Sequence, residues 1–145
     1  MDKKNLINRL NWFYSLELNQ VEMYKAQSRE ADDLRLARAL NKFARIEQDH
    51  VDKIRSLIEE LGETPSPLWE AAGELTGHVA GKLSGLTARE KTLRFNIALE
   101  RKAVHDYQAL IKEVDDPGIK DVLWDNLLDE ELHKSWMLEY LHNVN

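Results

Sequence analysis

The sequence predicts an all-α domain in which four long helices form two helical hairpins, joined by a long crossover. Apolar residues recur at steps of three and four along four stretches, which is the spacing of one face of an α-helix. Asp-Asp doublets at 32–33 and 115–116 interrupt this spacing and predict the turn of each hairpin. The 145 residues, 43% hydrophobic and 32% charged, fit a single domain spanning 1–145.

The first hairpin is predicted to contain helices at about residues 5–30 and 34–61. Gly62 follows the last apolar position and predicts the end of the second helix. The second hairpin is predicted to contain helices at about residues 87–114 and 118–142. Its first helix opens with Thr87-Ala88-Arg89-Glu90, which has the sequence of a capping box.

The crossover, residues 62–86, has a different composition from the helices. Its glycines recur with a period of four, beside an apolar stripe: Gly73, Gly77, Gly81 and Gly85, next to Leu68, Leu75, Val79, Leu83 and Leu86. This pattern predicts a short amphipathic helix, capped by Ser66 and begun by Pro67, that packs on the chain's own bundle or on a second copy. The alternative is a loose glycine-rich connection, since each glycine inside a helix costs about 1 kcal/mol.

Two Glu-x-x-His units, Glu47–His50 and Glu130–His133, lie on the inward stripes of the second and fourth helices. A spacing of three residues places a carboxylate and an imidazole on one helical face. Another inward glutamate, Glu17 or Glu100, stands 30 positions before each unit, with an Asp-Asp doublet at the midpoint. A hairpin folded at that midpoint brings Glu, Glu and His to the same height.

The two halves also form an internal repeat with an offset of 83 residues. Under that shift the three ligand candidates of one half superpose on those of the other, and so do Tyr24 and Tyr107 and the Asp-Asp doublets. A repeat that preserves candidate ligands and turns together argues against a coincidence of surface residues, which is the alternative interpretation.

Four carboxylates and two imidazoles in one layer of a bundle are the ligand set of a dinuclear metal site. Four buried glutamates at one height would repel one another unless cations lay between them. We therefore predict two metal ions, iron with manganese as the alternative, because an oxygen-rich set with two histidines and no thiolate suits these metals. The predicted ligands are Glu17, Glu47, His50, Glu100, Glu130 and His133.

Four further residues are candidates for hydrogen bonds to these ligands. Tyr24 and Tyr107 follow Glu17 and Glu100 by seven residues, on the same face two turns along; the alternative is that both are core tyrosines. Asp106 and Asp129 are candidates to accept the second N–H of a ligand histidine.

The spacing of His105, Glu22 and His142 predicts surface positions, and His78 in the crossover is not expected to be a ligand. Beyond the ligands, the sequence identifies no catalytic residue.

This set of residues resembles the ferritin-like di-iron carboxylate superfamily, which includes the rubrerythrins. Within it, Pro67-Leu68-Trp69-Glu70-Ala71-Ala72-Gly73 and the spaced glycines are similar to the demethoxyubiquinone hydroxylase family, and the likeness covers nearly the whole chain. That resemblance implies a ferritin-like four-helix bundle and a di-iron monooxygenase that activates O2 and hydroxylates a quinone-like ring in ubiquinone biosynthesis. By the same resemblance, Glu17 and Glu100 are terminal ligands, Glu47 and Glu130 bridge the metals, and each histidine binds one.

The sequence departs from that family in two places. The third helix carries His105-Asp106-Tyr107 where members often have His-His-Tyr, and the crossover is more polar, with Glu70, Glu74, His78 and Lys82. Two other functions therefore stay open. One is a rubrerythrin-like oxidoreductase that reduces peroxide or oxygen with an external electron donor, and the other is a non-catalytic iron-binding protein.

Composition excludes several function classes. With no cysteine, the chain has no disulfide, iron–sulfur cluster or cysteine nucleophile. A net charge of −6 without a basic stripe gives no footprint for nucleic acid. The N-terminus has no apolar signal core, so we expect a cytoplasmic protein with peripheral membrane contact at most, and a homodimer is compatible with the crossover stripe.

Overall fold

The computed structural model of the protein describes residues 1–68 and 87–144. The described residues form four α-helices and no strand: α1 (Lys3–Glu30), α2 (Leu34–Glu60), α3 (Ala88–Glu113) and α4 (Pro117–Val144). The chain divides into two compact units, Met1–Gly73 and Glu74–Asn145, each containing one helical hairpin. The predicted helices are confirmed to within two residues at each boundary.

Short polar side chains define both helices of the first hairpin. Asp2 caps α1 by accepting a hydrogen bond from the backbone N–H of Asn5 at 2.8 Å. Asp33 caps α2 by accepting from Arg35 N at 3.1 Å, after a turn of only three residues. Ser28 Oγ donates to Ala37 O at 2.8 Å and ties the end of α1 to the start of α2. The two helices are thereby held side by side.

A glycine ends α2 and turns the chain back towards α1. Gly62 has φ of 84°, a left-handed conformation that glycine adopts without strain, and its N–H donates to Glu59 O at 2.9 Å. The chain then runs without helix to residue 68, so the predicted helix does not begin at Pro67. The rest of that predicted helix, including His78, lies outside the described residues.

Two buried side chains of α1 hold this returning segment. Asn11 Oδ1 accepts from Ser66 N at 2.8 Å, and Ser15 Oγ accepts from Leu68 N at 2.6 Å. Ser15 Oγ also donates to Asn11 O at 2.8 Å. These bonds satisfy backbone donors that the irregular segment cannot pair internally.

The second hairpin is defined by a capping box and an aspartate cap. Thr87 Oγ1 accepts from Glu90 N at 3.2 Å, and Thr87 N donates to Glu90 Oε2 at 2.9 Å, as the sequence predicted. After α3 ends, Asp116 Oδ1 accepts from Ile119 N at 3.0 Å, and Pro117 occupies the first helical position.

Each hairpin supplies an apolar core from the predicted stripes. The fully buried positions in the first include Leu10, Phe13, Leu40, Val51, Ile54 and Ile58, and those in the second include Leu93, Leu110, Leu123, Leu127 and Met137. Among the described residues, no helix is long and apolar enough to cross a membrane.

Candidate metal centre

The first hairpin buries one cluster of two glutamates and a histidine, the first triad: Glu17, Glu47 and His50. Their side chains are at most 1% exposed. His50 Nδ1 lies 3.1 Å from Glu47 Oε2 and 3.6 Å from Glu17 Oε2. One ligand atom from each residue lies within 4.8 Å of the other two.

The second hairpin repeats this arrangement with Glu100, Glu130 and His133, the second triad. His133 Nδ1 lies 3.2 Å from Glu130 Oε2 and 3.6 Å from Glu100 Oε1, and these side chains are at most 2% exposed. The corresponding distances in the two triads differ by no more than 0.1 Å. The internal repeat seen in the sequence is therefore a repeat of side-chain geometry.

Helical geometry explains how each triad forms. The glutamate and histidine of one helix are three residues apart and share its inward face. The remaining glutamate comes from the other helix of the same hairpin, at an equal distance from the turn. Each hairpin thus brings its three predicted ligands together.

Burial and charge act strongly on the second triad. Burial and, after it, the nearby charge of Glu130 together raise the pKa of Glu100 from its ordinary 4.5 to about 8, against the opposing effect of His133. Near neutral pH, Glu100 is therefore protonated for much of the time when no cation is present. A bound cation reverses this preference, because it stabilises the ionised carboxylate.

The donor set of each triad fits a divalent metal ion. Carboxylate oxygens and imidazole nitrogens bind such ions at about 2.0–2.2 Å, so two donors on one ion are at most about 4.4 Å apart. In both triads the histidine Nδ1 lies 3.1–3.6 Å from the glutamate oxygens, which is within this limit. Because the donors are mostly oxygen with one imidazole and no thiolate, iron and manganese fit better than copper or zinc. The buried glutamate and histidine clusters can therefore hold metal.

The two tyrosines predicted near the ligands are fully buried but have different neighbours. The Tyr24 ring lies edge-on to Phe43, with centroids 5.6 Å apart and planes at 68°. The Tyr107 hydroxyl accepts a hydrogen bond from Asn126 Nδ2 at 3.2 Å. Their proposed hydrogen bonds to the ligands stay predictions.

The two aspartates differ in their surroundings. Asp106 pairs with Lys102 Nζ at 2.9 Å and with His105 Nδ1 at 3.2 Å, on the outer side of α3. Asp129 is half-buried at the position before Glu130. Their roles as partners of a ligand histidine are likewise still predictions.

The predicted surface positions are confirmed: the side chains of Glu22 and His105 are 75% and 81% exposed, and His142 is exposed.

Sequence reasoning missed two buried asparagines in the second hairpin, Asn96 and Asn126, neither of which has exposed surface. The internal repeat contained a signal for them. Under the 83-residue shift, Asn96 corresponds to Phe13 and Asn126 to Phe43. Where one copy of a repeat has a polar residue and the other has a core aromatic residue, the surroundings of that position differ between the two copies.

Two hairpins that each bury a Glu, Glu and His triad define a helical protein whose carboxylate-rich clusters can hold metal. The sequence matches the family described as Ferritin-like domain over residues 7–145, and the chain belongs to that family. This confirms the predicted fold class and the broad ferritin-like resemblance.

Solved structures give the same result for the fold. The chain is similar to a dodecameric thioferritin, the bacterioferritin-related protein from Bacteroides fragilis, with 23% identity and a TM-score of 0.81. The match covers 99% of this chain and 88% of the other. No curated protein matches the sequence. None of these comparisons supports the narrower resemblance to the demethoxyubiquinone hydroxylases.

Proposed function

We propose that the chain binds two metal ions, iron or manganese, through the two triads and uses them in oxidation–reduction with O2 or peroxide. The observation that carries this proposal is the presence of two buried triads with matched geometry, one in each half of the chain. A purely structural role would not require the same three side chains, at the same distances, in both halves.

The charges of the triads favour a bound metal ion over a buried cluster of side chains alone. Each triad buries two carboxylates and one imidazole, and an ionised carboxylate in such surroundings is strongly unfavourable without a cation. The raised pKa of Glu100 is one expression of this cost. Glu17, Glu47 and His50 would hold one ion, and Glu100, Glu130 and His133 the other.

Two iron ions bound as Fe(II) would supply the two electrons that, with two protons, reduce one hydrogen peroxide to two water molecules. The six predicted ligands would hold the ions and, because all of them are buried, would keep bulk water away from them. The proposal includes an external donor for the electrons that would restore Fe(II), since this chain has no cysteine to ligate an iron–sulfur centre of its own.

Hydroxylation of a quinone-like ring is the second candidate. It is supported by the resemblance of the crossover sequence to the demethoxyubiquinone hydroxylases, and most of that crossover lies outside the described residues. This reaction would use the same metals, with O2 as the oxidant. Anaerobic Fe(II)-loaded protein mixed with O2, with hydrogen peroxide, or with O2 and a short-chain quinone distinguishes the candidates. Rapid oxidation by O2 or peroxide without a hydroxylated product supports the oxidoreductase, and a hydroxylated quinone moves the assignment to the monooxygenase. Absence of oxidation with any of them contradicts both.

We also propose that the chain associates with copies of itself through the outward face of α4. Trp124, Leu128 and Leu132 recur there at steps of four and are 46%, 51% and 66% exposed, an apolar patch of the kind found at interfaces. The thioferritin that shares the fold is described as a dodecamer.

Sedimentation velocity of Leu132→Glu tests this surface. The variant should have a lower mass than the wild-type protein, because a charge in an apolar interface is costly. The matched control is Leu34→Glu, a leucine that is 67% exposed on a different helix and should leave the mass unchanged. A monomeric wild-type protein, or equal effects of the two substitutions, would contradict the proposal.

A further inference from the structure

Asn126 and Tyr107 form a buried polar pair beside the second triad. Asn126 lies on α4 one helical turn before Glu130, on the same inward face, and neither member of the pair has exposed surface. Asn126 Nδ2 donates to Tyr107 Oη at 3.2 Å. The pair therefore lies about one turn of helix, roughly 6 Å along the axis, from a predicted metal ligand.

The first hairpin has an apolar pair at the equivalent place. Under the internal repeat, Tyr107 corresponds to Tyr24 and Asn126 to Phe43, and the two rings of the first hairpin pack edge to face. An aromatic side chain thus fills this position well enough for the fold. The repeat keeps all six predicted ligands but differs here, so packing alone does not explain the amide at 126.

One end of the Asn126 amide has no partner among the described residues. Its Oδ1 is buried and accepts no hydrogen bond from them. A buried carbonyl oxygen without a donor is destabilising, and buried acceptors of this kind are commonly satisfied by a small molecule such as water. Leucine, which has nearly the same size, would avoid that cost.

We propose that Asn126 Oδ1 is a binding site for one small O–H donor beside the second triad, a water molecule that hydrogen peroxide replaces. The part concerning peroxide rests on the proposed function. Hydrogen peroxide has two O–H groups that can donate to this oxygen, whereas O2 has none. The site therefore distinguishes the two oxidants by hydrogen bonding, and the first hairpin has Phe43 at the equivalent position.

Stopped-flow oxidation of the Fe(II)-loaded protein tests this selectivity. Asn126→Leu should raise the peroxide concentration for half-maximal rate about tenfold, because one hydrogen bond to the oxidant is lost. The maximal rate with peroxide and the rate with O2 should change less than twofold. Phe43→Leu, at the equivalent position of the first hairpin, is the matched control and should change none of these values.

A crystal structure of the metal-free wild-type protein supplies a second readout, independent of activity. We expect an ordered water within hydrogen-bonding distance of Asn126 Oδ1, and its loss in Asn126→Leu. A dry Oδ1, equal slowing with both oxidants, or no slowing with peroxide would overturn the proposal. If Asn126→Leu does not fold, the wild-type crystal still decides. Failure of the wild-type protein to bind iron would instead overturn the proposed function and leave the water measurement intact.

Discussion

Replacement of Glu100 by glutamine in the metal-free protein tests the electrostatics of the second triad. The pKa of Glu100 is raised to about 8 by burial and then by the charge of Glu130, against the opposing effect of His133. Between pH 4.5 and about 8 the folded chain therefore keeps a proton that the unfolded chain releases. Because the folded state binds more protons, the contribution of Glu100 to the free energy of unfolding falls as the pH rises through this window.

The size of the effect follows from the pKa. Each pH unit inside the window changes the free energy of unfolding by about 1.4 kcal/mol, so the loss between pH 5 and pH 7 is about 3 kcal/mol. Glutamine has almost the shape of glutamate but no ionisable proton. We expect Glu100→Gln to match the wild-type protein near pH 5 and to exceed its stability increasingly up to pH 8.

Urea unfolding of metal-stripped protein at pH 5, 6, 7 and 8 measures this difference. Subtracting the variant's curve from the wild-type curve cancels the titration of groups that do not interact with Glu100. Glu22→Gln is the control, since that side chain is 75% exposed and its substitution should give a flat difference. A difference for Glu100→Gln that is flat with pH, or that has the opposite sign, would refute the reasoning.

Two further predictions concern the elements that carry the triads, and chemical denaturation measures both. Thr87→Ala removes the hydroxyl of the capping box and should destabilise the protein by about 1 kcal/mol. The control Thr64→Ala, in the exposed segment after α2, should have little effect on stability. Equal losses of stability in the two variants would contradict the capping assignment. Ser15→Ala leaves the N–H of Leu68 without its acceptor and should lower the stability of the protein by about 1–2 kcal/mol. The loss should exceed that of Ser56→Ala, on the exposed side of α2. If Ser15→Ala leaves the stability unchanged, the returning segment does not depend on this bond.

Most of the fold was predictable because it follows from local sequence. Apolar periodicity located the four helices, and the residues at their ends set the boundaries. Thr87 with Glu90 marked the start of α3, and Gly62 marked the end of α2 by supplying a left-handed conformation. The start of α1 was placed two residues late, because the capping role of Asp2 lies outside the apolar pattern.

The triads were predictable for a similar reason. Helical spacing determines which side chains share a face of a helix. Equal distances from the turn determine which residues of the two helices lie at the same height in the hairpin. The contacts of Asn11 and Ser15 with residues 66 and 68 were not predictable, because they join positions more than fifty residues apart and depend on the path of an irregular segment. Asn126 was recognisable only by comparing the two copies of the repeat residue by residue.

Metal content measures the central claim most directly. After anaerobic reconstitution with Fe(II) and removal of loosely bound metal, the wild-type chain should contain about two ions. His50→Ala and His133→Ala should each retain about one, since each removes a predicted ligand from a single triad, while the exposed control His105→Ala should retain two. A wild-type content below one ion per chain that persists through reconstitution, or a loss in the control equal to that in the ligand variants, would contradict the account.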